Sequence, residues 1–146
     1  MSDSKSRPDA VALAALAELE IYDAQGKQVK FGTLFADGKA VVVFIRHFLC
    51  CTCQAYVTAI SRVATPARLQ AADARLAVIG CGDPGFIPAY AEKTACQGAM
   101  YADPDRKVFQ ALGMNIESVD RTPAGQALKS YVPQNSTLAR AAEGIA

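Results

Sequence analysis

Two apolar runs decide most of what this chain can become: AVVVFIRHF, residues 40–48, and ARLAVIGCG, residues 74–82. Neither alternates polar with apolar residues, and both are rich in β-branched side chains. Such runs read as strands covered on both faces, which occur in sheets with helices packed on either side. Between them lies QAYVTAISRV, where Tyr56, Val57, Ile60 and Val63 recur at helical spacing. Thr65 then offers a fresh N-cap and Pro66 a first helical position, so a second helical piece runs through PARLQAAD.

The pattern repeats downstream. Asp83-Pro84 opens a helix through FIPAYAEKTA, GAMYA reads as a short strand, and Asp103-Pro104 starts DRKVFQAL, which Gly113 ends. Strand and helix alternating at this spacing specify an α/β domain with a parallel sheet and right-handed crossovers. Upstream, EIYDAQGKQVKF reads as a hairpin turning at Asp23 to Gly26, FGTLF as one helical turn, and PDAVALAALAEL as a short helix. Residues 1–7 are expected to be a disordered lead to a single domain over residues 8–146. NSTLARAAEG is expected to be a capped, weak helix.

Active sites in such sheets lie beyond the carboxyl ends of the strands. There the first run passes into LCCTC and the second ends at Cys81. Cys50 and Cys53 form a C-x-x-C at a strand-to-helix junction. A helix starting near Cys50 or Cys51 aims free N–H groups at the thiols and favours a thiolate. Arg46 and His47 bring positive charge, but neighbours on a strand point to opposite faces, so one of them faces the pair. His47 reads either as a packed histidine or as a base. Cys51 and Thr52 lie within the motif and Cys81 beside it; Cys96, inside a helical pattern, reads as a small core residue. The redox reading is dithiol attack on a peroxide or disulfide, followed by resolution within the pair. The competing chemistry is zinc held by His47, Cys50, Cys53 and Cys81, although a structural zinc site normally uses two short-spaced motifs and only one is present. No cofactor and no metal is expected.

Net charge narrows the partners. Fifteen Lys and Arg against fourteen Asp and Glu leave +1, so there is no basic field for nucleic acid. The longest apolar stretch, Ala40 to Ile45, is too short to span a bilayer. The polar N-terminus is unlike a signal peptide, which makes the cytoplasm the expected location. In that compartment a close cysteine pair points to catalysis or metal rather than to a structural disulfide.

The hairpin with DAQGK, the FGTLF turn, VVVFIRHFLCCTC, LAVIGCGD and YADPDRKVFQALGM together resemble the peroxiredoxin-like 2 family, which carries the AhpC/TSA antioxidant enzyme domain within the thioredoxin-like superfamily. The resemblance runs from about Glu20 to Met114 and implies a three-layer thioredoxin-like sandwich of peroxiredoxin type. It implies thioredoxin or another thiol as reductant, and a peroxide, an endoperoxide lipid or a disulfide as substrate. Laid on the peroxidase pattern Pro-x-x-x-Thr-x-x-Cys, the proline position is Arg46, the threonine position is Cys50 and the attacking position is Cys53. Laid on the thioredoxin pattern, Cys50 attacks and Cys53 resolves. Both alignments fit.

Family members continue with a proline-led hairpin, a final helix and, in peroxiredoxins, an activating arginine. Here only Thr122-Pro123 offers such a proline, so the domain is expected to lack the C-terminal hairpin and helix. The sheet would then keep an exposed edge, expected to be covered by a partner chain or by a second copy of the chain as a homodimer. A redox-sensing or partner-binding domain without turnover is the alternative function.

Overall fold

The computed structural model describes residues 7–115. Its elements follow the alternation of the sequence. Helix α1 is Ala10–Ala17, strands β1 and β2 are Glu20–Tyr22 and Gln28–Lys30, and a 3-10 turn covers Phe31–Leu34. Strand β3 is Lys39–His47, followed by helices α2, Cys51–Val63, and α3, Pro66–Ala71. Strand β4 is Ala74–Cys81, α4 is Ile87–Thr94, β5 is Ala99–Ala102 and α5 is Lys107–Ala111.

The strands form one five-stranded sheet in the order β2-β1-β5-β4-β3. Strands β3, β4 and β5 are parallel, as the crossovers require. The hairpin adds antiparallel strands, with β1 joining β5 through Tyr22 and Ala102, so the sheet is mixed rather than wholly parallel. One face carries Ile45, Leu76, Val78 and Met100 under Val57, Ile87 and Tyr90 of α2 and α4. The other carries Ala77 and Ile79 against Leu16, Phe31, Leu34, Val108 and Phe109. Helices, sheet and helices make the three layers of a thioredoxin-like α/β fold.

The two diagnostic runs fare differently. Leu76 to Gly80 of β4 are buried throughout, as befits a strand paired on both sides. Strand β3 has apolar neighbours on both faces, yet it pairs only with β4 among the described residues, and Val41 is 51% exposed. An apolar run reports covered faces; it does not report whether the strand's second edge is paired.

The termini of the elements use the residues the sequence offered. Thr65 Oγ1 accepts from the Arg68 N–H at 3.4 Å with Pro66 in the first turn of α3. Asp83 caps a 3-10 turn at Pro84–Phe86 that leads into α4. Asp103, 1% exposed, accepts from the backbone N–H groups of Lys107, Val108 and Phe109 at 3.0, 2.9 and 3.3 Å. Gly113 then turns the chain with a positive φ of 74°, a conformation that favours glycine. Apart from Arg7, the expected lead lies outside the described residues, as do Thr122-Pro123, the NSTLARAAEG helix and the expected missing hairpin.

Candidate active site

Strand β3 delivers Arg46 and His47 to its carboxyl end, a tight turn follows, and α2 starts at Cys51 with Cys50 as its N-cap. The turn closes through the Cys50 N–H, which donates to the His47 carbonyl at 3.2 Å. A cap side chain sits where the first helical N–H groups are unpaired. Here the acceptor is sulfur: the Cys53 N–H donates to Cys50 Sγ at 3.4 Å. Arg46 reaches the same atom from β3, its Nη2 lying 3.0 Å away.

These contacts separate the two thiols. Cys50, 7% exposed, is lowered from its ordinary value to about 5, chiefly because the Cys53 thiol donates to it. The Cys53 N–H and the Arg46 guanidinium add to that effect, while burial opposes it. Cys53 moves the opposite way. Donating to Cys50, burial and repulsion from the Cys50 charge all push its thiol up, with Arg46 opposing weakly. Both are free thiols. One is a stabilised thiolate, the other holds its proton beside it, and the pair spans one helical turn.

Of the two candidate cations, Arg46 faces the pair. His47 is exposed and stands opposite Cys81 in the β3–β4 ladder. Cys81 is therefore misplaced by the sequence reading. Side chains alternate along β4, so Val78 and Gly80 face the thiol side while Ile79 and Cys81 face the α1–α5 side. There burial raises the Cys81 thiol, with Arg106 and Asp103 as its charged neighbours. The zinc set fails for the same reason, since His47 and Cys81 are not brought to Cys50 and Cys53. Cys51 and Thr52 are half-buried in the first turn of α2. Cys96 is buried in the core on the thiol face, as expected.

A family model described as AhpC/TSA antioxidant enzyme matches residues 62–145, more than half of the chain. The chain belongs to the peroxiredoxin-like AhpC/TSA family. Its match starts just after the thiol pair and takes in β4, Asp103 and α5. Curated relatives cover the thiol region more broadly. The chain is 42% identical over 101 residues to Peroxiredoxin-like 2C of Mus musculus, covering 69% of this chain and 44% of that protein. It is 32% identical over 124 residues to the chloroplastic thioredoxin-like protein AAED1 of Arabidopsis thaliana, covering 81% and 48%. The chain thus spans less than half the length of the relatives it matches.

Solved structures agree on the thioredoxin-like fold. The bacterioferritin comigratory protein of Xanthomonas campestris superposes with a TM-score of 0.58 at 14% identity, covering 68% of this chain and 62% of that one. A secreted Mycobacterium tuberculosis disulfide oxidoreductase homologous to DsbE superposes with a TM-score of 0.54 at 20% identity, covering 68% and 71%.

Two aromatic residues the motif did not point to, Phe48 and Tyr90, pack on the thiol side of the sheet. Phe48 packs into the sheet over Gly80, where an added Cβ would come within 3.0 Å of the ring. Its ring meets Tyr90 of α4 edge-on, with centroids 5.4 Å apart. The helical spacing of Ile87, Tyr90 and Thr94 marks a core face of α4, but nothing in the sequence says that this face overlies the thiols.

Proposed function

We propose that this chain is a thiol–disulfide oxidoreductase in which Cys50 attacks and Cys53 resolves. The observation that carries the reading is the convergence of the Arg46 guanidinium and the Cys53 N–H on Cys50 Sγ, at 3.0 and 3.4 Å. The thiolate is the attacking form of cysteine, and Cys50 is the thiol held in that form near neutral pH. The order that makes Cys53 the first nucleophile has the less favourable chemistry, because that thiol is raised.

With a disulfide substrate, the Cys50 thiolate forms a mixed disulfide and expels one substrate sulfur as a thiolate. Cys53 then gives up its proton to the departing group, attacks Cys50 Sγ and expels the second sulfur, leaving Cys50–Cys53. With a peroxide, Cys50 becomes a sulfenic acid as the O–O bond breaks and an alcohol or water leaves. Cys53 then displaces hydroxide, which takes up the Cys53 proton as water. With an endoperoxide the Cys50 thiolate bonds one oxygen as the O–O bond breaks, and the other oxygen becomes an alkoxide that takes up a proton. Cys53 then displaces the S-bound oxygen, giving Cys50–Cys53 and a diol. Thioredoxin or another thiol reductant returns the pair to two thiols by exchange. Such cycling suits a reducing compartment such as the cytoplasm.

The test is thiol mapping by mass spectrometry after graded additions of peroxide or a small disulfide. The first modified sulfur is expected on Cys50, followed by a Cys50–Cys53 disulfide; first modification of Cys53 would overturn the order. Repeated turnover with a thiol reductant separates an enzyme from a redox-sensing domain, which would oxidise once and stop. We also place a second copy of the chain along the edge of β3 that pairs with no strand among the described residues, where exposed Val41 suits antiparallel pairing about a two-fold axis. A monomer by light scattering would remove that partner.

A further inference from the structure

Strict alternation along β3 would exchange the two cations beside the thiols. Phe44 faces the α1–α5 side of the sheet and Ile45 the thiol side. The next two residues in step would send Arg46 away from Cys50 and His47 toward it. The structure has the reverse. Arg46 Nη2 is 3.0 Å from Cys50 Sγ, and His47 stands opposite Cys81, which faces the α1–α5 side. Phe48, just past the strand, returns to the thiol side with Ile45, although alternation over three positions would separate them.

The ladder holds the cause. Phe44 pairs with Ile79 and His47 with Cys81, so β3 takes three residues where β4 takes two. The extra residue is a β-bulge, which is uncommon between parallel strands and re-aims a side chain where it lies beside a site. Ile45 and Arg46 together oppose Gly80, and Gly80 leaves the room that the crowding there requires. A Cβ on it would lie 3.1 Å from Ile45 Cγ1 and 3.0 Å from Phe48 Cζ. Ile45, 3% exposed, fills the core place, and Arg46 follows on the same side instead of crossing the sheet. We propose that this bulge is a positioning device for the thiol chemistry: it turns Arg46, and not His47, to the Cys50 sulfur. The selection has a chemical consequence. An imidazole loses its charge above about pH 6.5, whereas a guanidinium keeps it throughout the range of thiol exchange. Cys50 is thereby given a cation that does not titrate. The charged and titratable groups around that sulfur are Arg46 from β3, Cys53 from α2 and Tyr90 from α4. The inference rests on the reading of Cys50 as the attacking thiolate.

The experiment reads ionisation thiol by thiol. The reduced chain is pulsed with iodoacetamide across the pH range, and fragment masses give an alkylation midpoint for each cysteine, because the thiolate is the reacting form. The variants are Arg46→Met, His47→Arg and the two combined. Arg46→Met is expected to raise the Cys50 midpoint by ~1.5 units and to leave Cys81 unmoved. An arginine at position 47 belongs to the other face. The combined variant should therefore keep the raised Cys50 midpoint while that of Cys81 falls by about half a unit, a smaller shift because position 47 is exposed. His47→Arg alone should lower the Cys81 midpoint and leave Cys50 at about 5. A Cys50 midpoint that returns toward the parental value in the combined variant overturns the proposal, since position 47 then reaches the thiols. A Cys81 midpoint unmoved by arginine at position 47 also overturns it, because the two positions then do not share a face. Failure of the oxidoreductase reading shows separately, as alkylation involves no turnover. Cys53 alkylated ahead of Cys50 in the parent removes the order of attack, and the Cys50 and Cys81 midpoints still decide whether the bulge selects Arg46.

Discussion

Replacing Arg46 by methionine keeps much of the side chain's length and removes its charge from Cys50 Sγ, 3.0 Å away. An opposite charge at that range moves an acid's pKa by about 1–3 units. Arg46 shares the sulfur with the Cys53 thiol and N–H, so a shift of ~1.5 units is reasonable and takes Cys50 from about 5 to ~6.5. Two effects then oppose each other. At about pH 5 the thiolate fraction falls from about one half to ~3%, whereas at about pH 7.5 it stays above ~90%. The more basic thiolate is also the better nucleophile, and a Brønsted slope of about 0.45 over ~1.5 units returns ~5-fold in intrinsic rate. Multiplied together, Arg46→Met attacks a neutral aliphatic disulfide ~3-fold more slowly than the parent at about pH 5 and ~4-fold faster at about pH 7.5. The two profiles cross near pH ~5.8. Thiolate absorbance in the far ultraviolet gives the ionisation midpoint, and adduct formation across the pH range gives the rate. An unmoved midpoint with parallel profiles would show that Arg46 does not hold the thiolate.

Gly80→Ala brings a Cβ to 3.0 Å from Phe48 Cζ and 3.1 Å from Ile45 Cγ1, an overpacking that lowers stability by ~1–3 kcal/mol. Urea titration should show the loss, and an unchanged midpoint would mean that Phe48 is not seated against this glycine. Asp103→Ala strips three N–H groups, two of them buried, of their acceptor and should lose ~2–3 kcal/mol. Asp103→Asn recovers part of that because an amide oxygen still accepts; equal melting of the two variants would refute the capping role. The pH dependence of stability follows from the thiols. Cys50 ionises near 5 when folded and near its ordinary value of 9.0 when unfolded, so within that window the unfolded chain binds more protons. The reduced protein therefore gains stability as pH rises through the window, by at most ~1.4 kcal/mol per pH unit from this group. Above it the raised thiols of Cys53 and Cys81 and the raised phenol of Tyr90 act in the opposite sense, and stability falls again. Cys50→Ser should flatten the rise; a rise of the same size in that variant would assign it to another group.

What the sequence made legible was whatever depends on local chemistry. The caps at Thr65 and Asp83 and the turns at Asp23 and Gly113 follow from residue type and spacing, and the structure uses them as such. The C-x-x-C motif was equally plain, because strand, C-x-x-C and helix follow one another along the chain. Placement across the sheet was harder to read. Cys81 ends a strand beside the site in sequence terms, yet one residue of alternation carries it to the opposite face. Arg46 and His47 were equivalent until the structure showed which side of β3 meets the turn. That β3, among the described residues, pairs only with β4 was not told by its apolar run, because such a run describes what lies above and below a strand. Tyr90 was hidden because helical periodicity marks a buried face without naming what that face covers.

The two thiols differ because the helix begins between them. Cys50, as the cap, stands outside the helix, where its sulfur receives the N–H of Cys53 and the guanidinium from β3. Cys53 lies inside the first turn, its own N–H already turned toward Cys50, and it packs against the core beneath α2 and α4. Identical side chains are thereby given opposite electrostatic settings by a difference of one helical turn. The same geometry accounts for a cysteine, rather than a threonine, being usable at position 50, since either can accept the Cys53 N–H and only sulfur can also attack. Arginine at position 46 then has a direct role that proline would lack, because it brings a positive charge to the cap from the strand. On the proposed order of attack the residues at positions 46 and 50 belong together: a charge at 46 is useful when the attacking sulfur is at 50, three residues before the position that a peroxidase order would use.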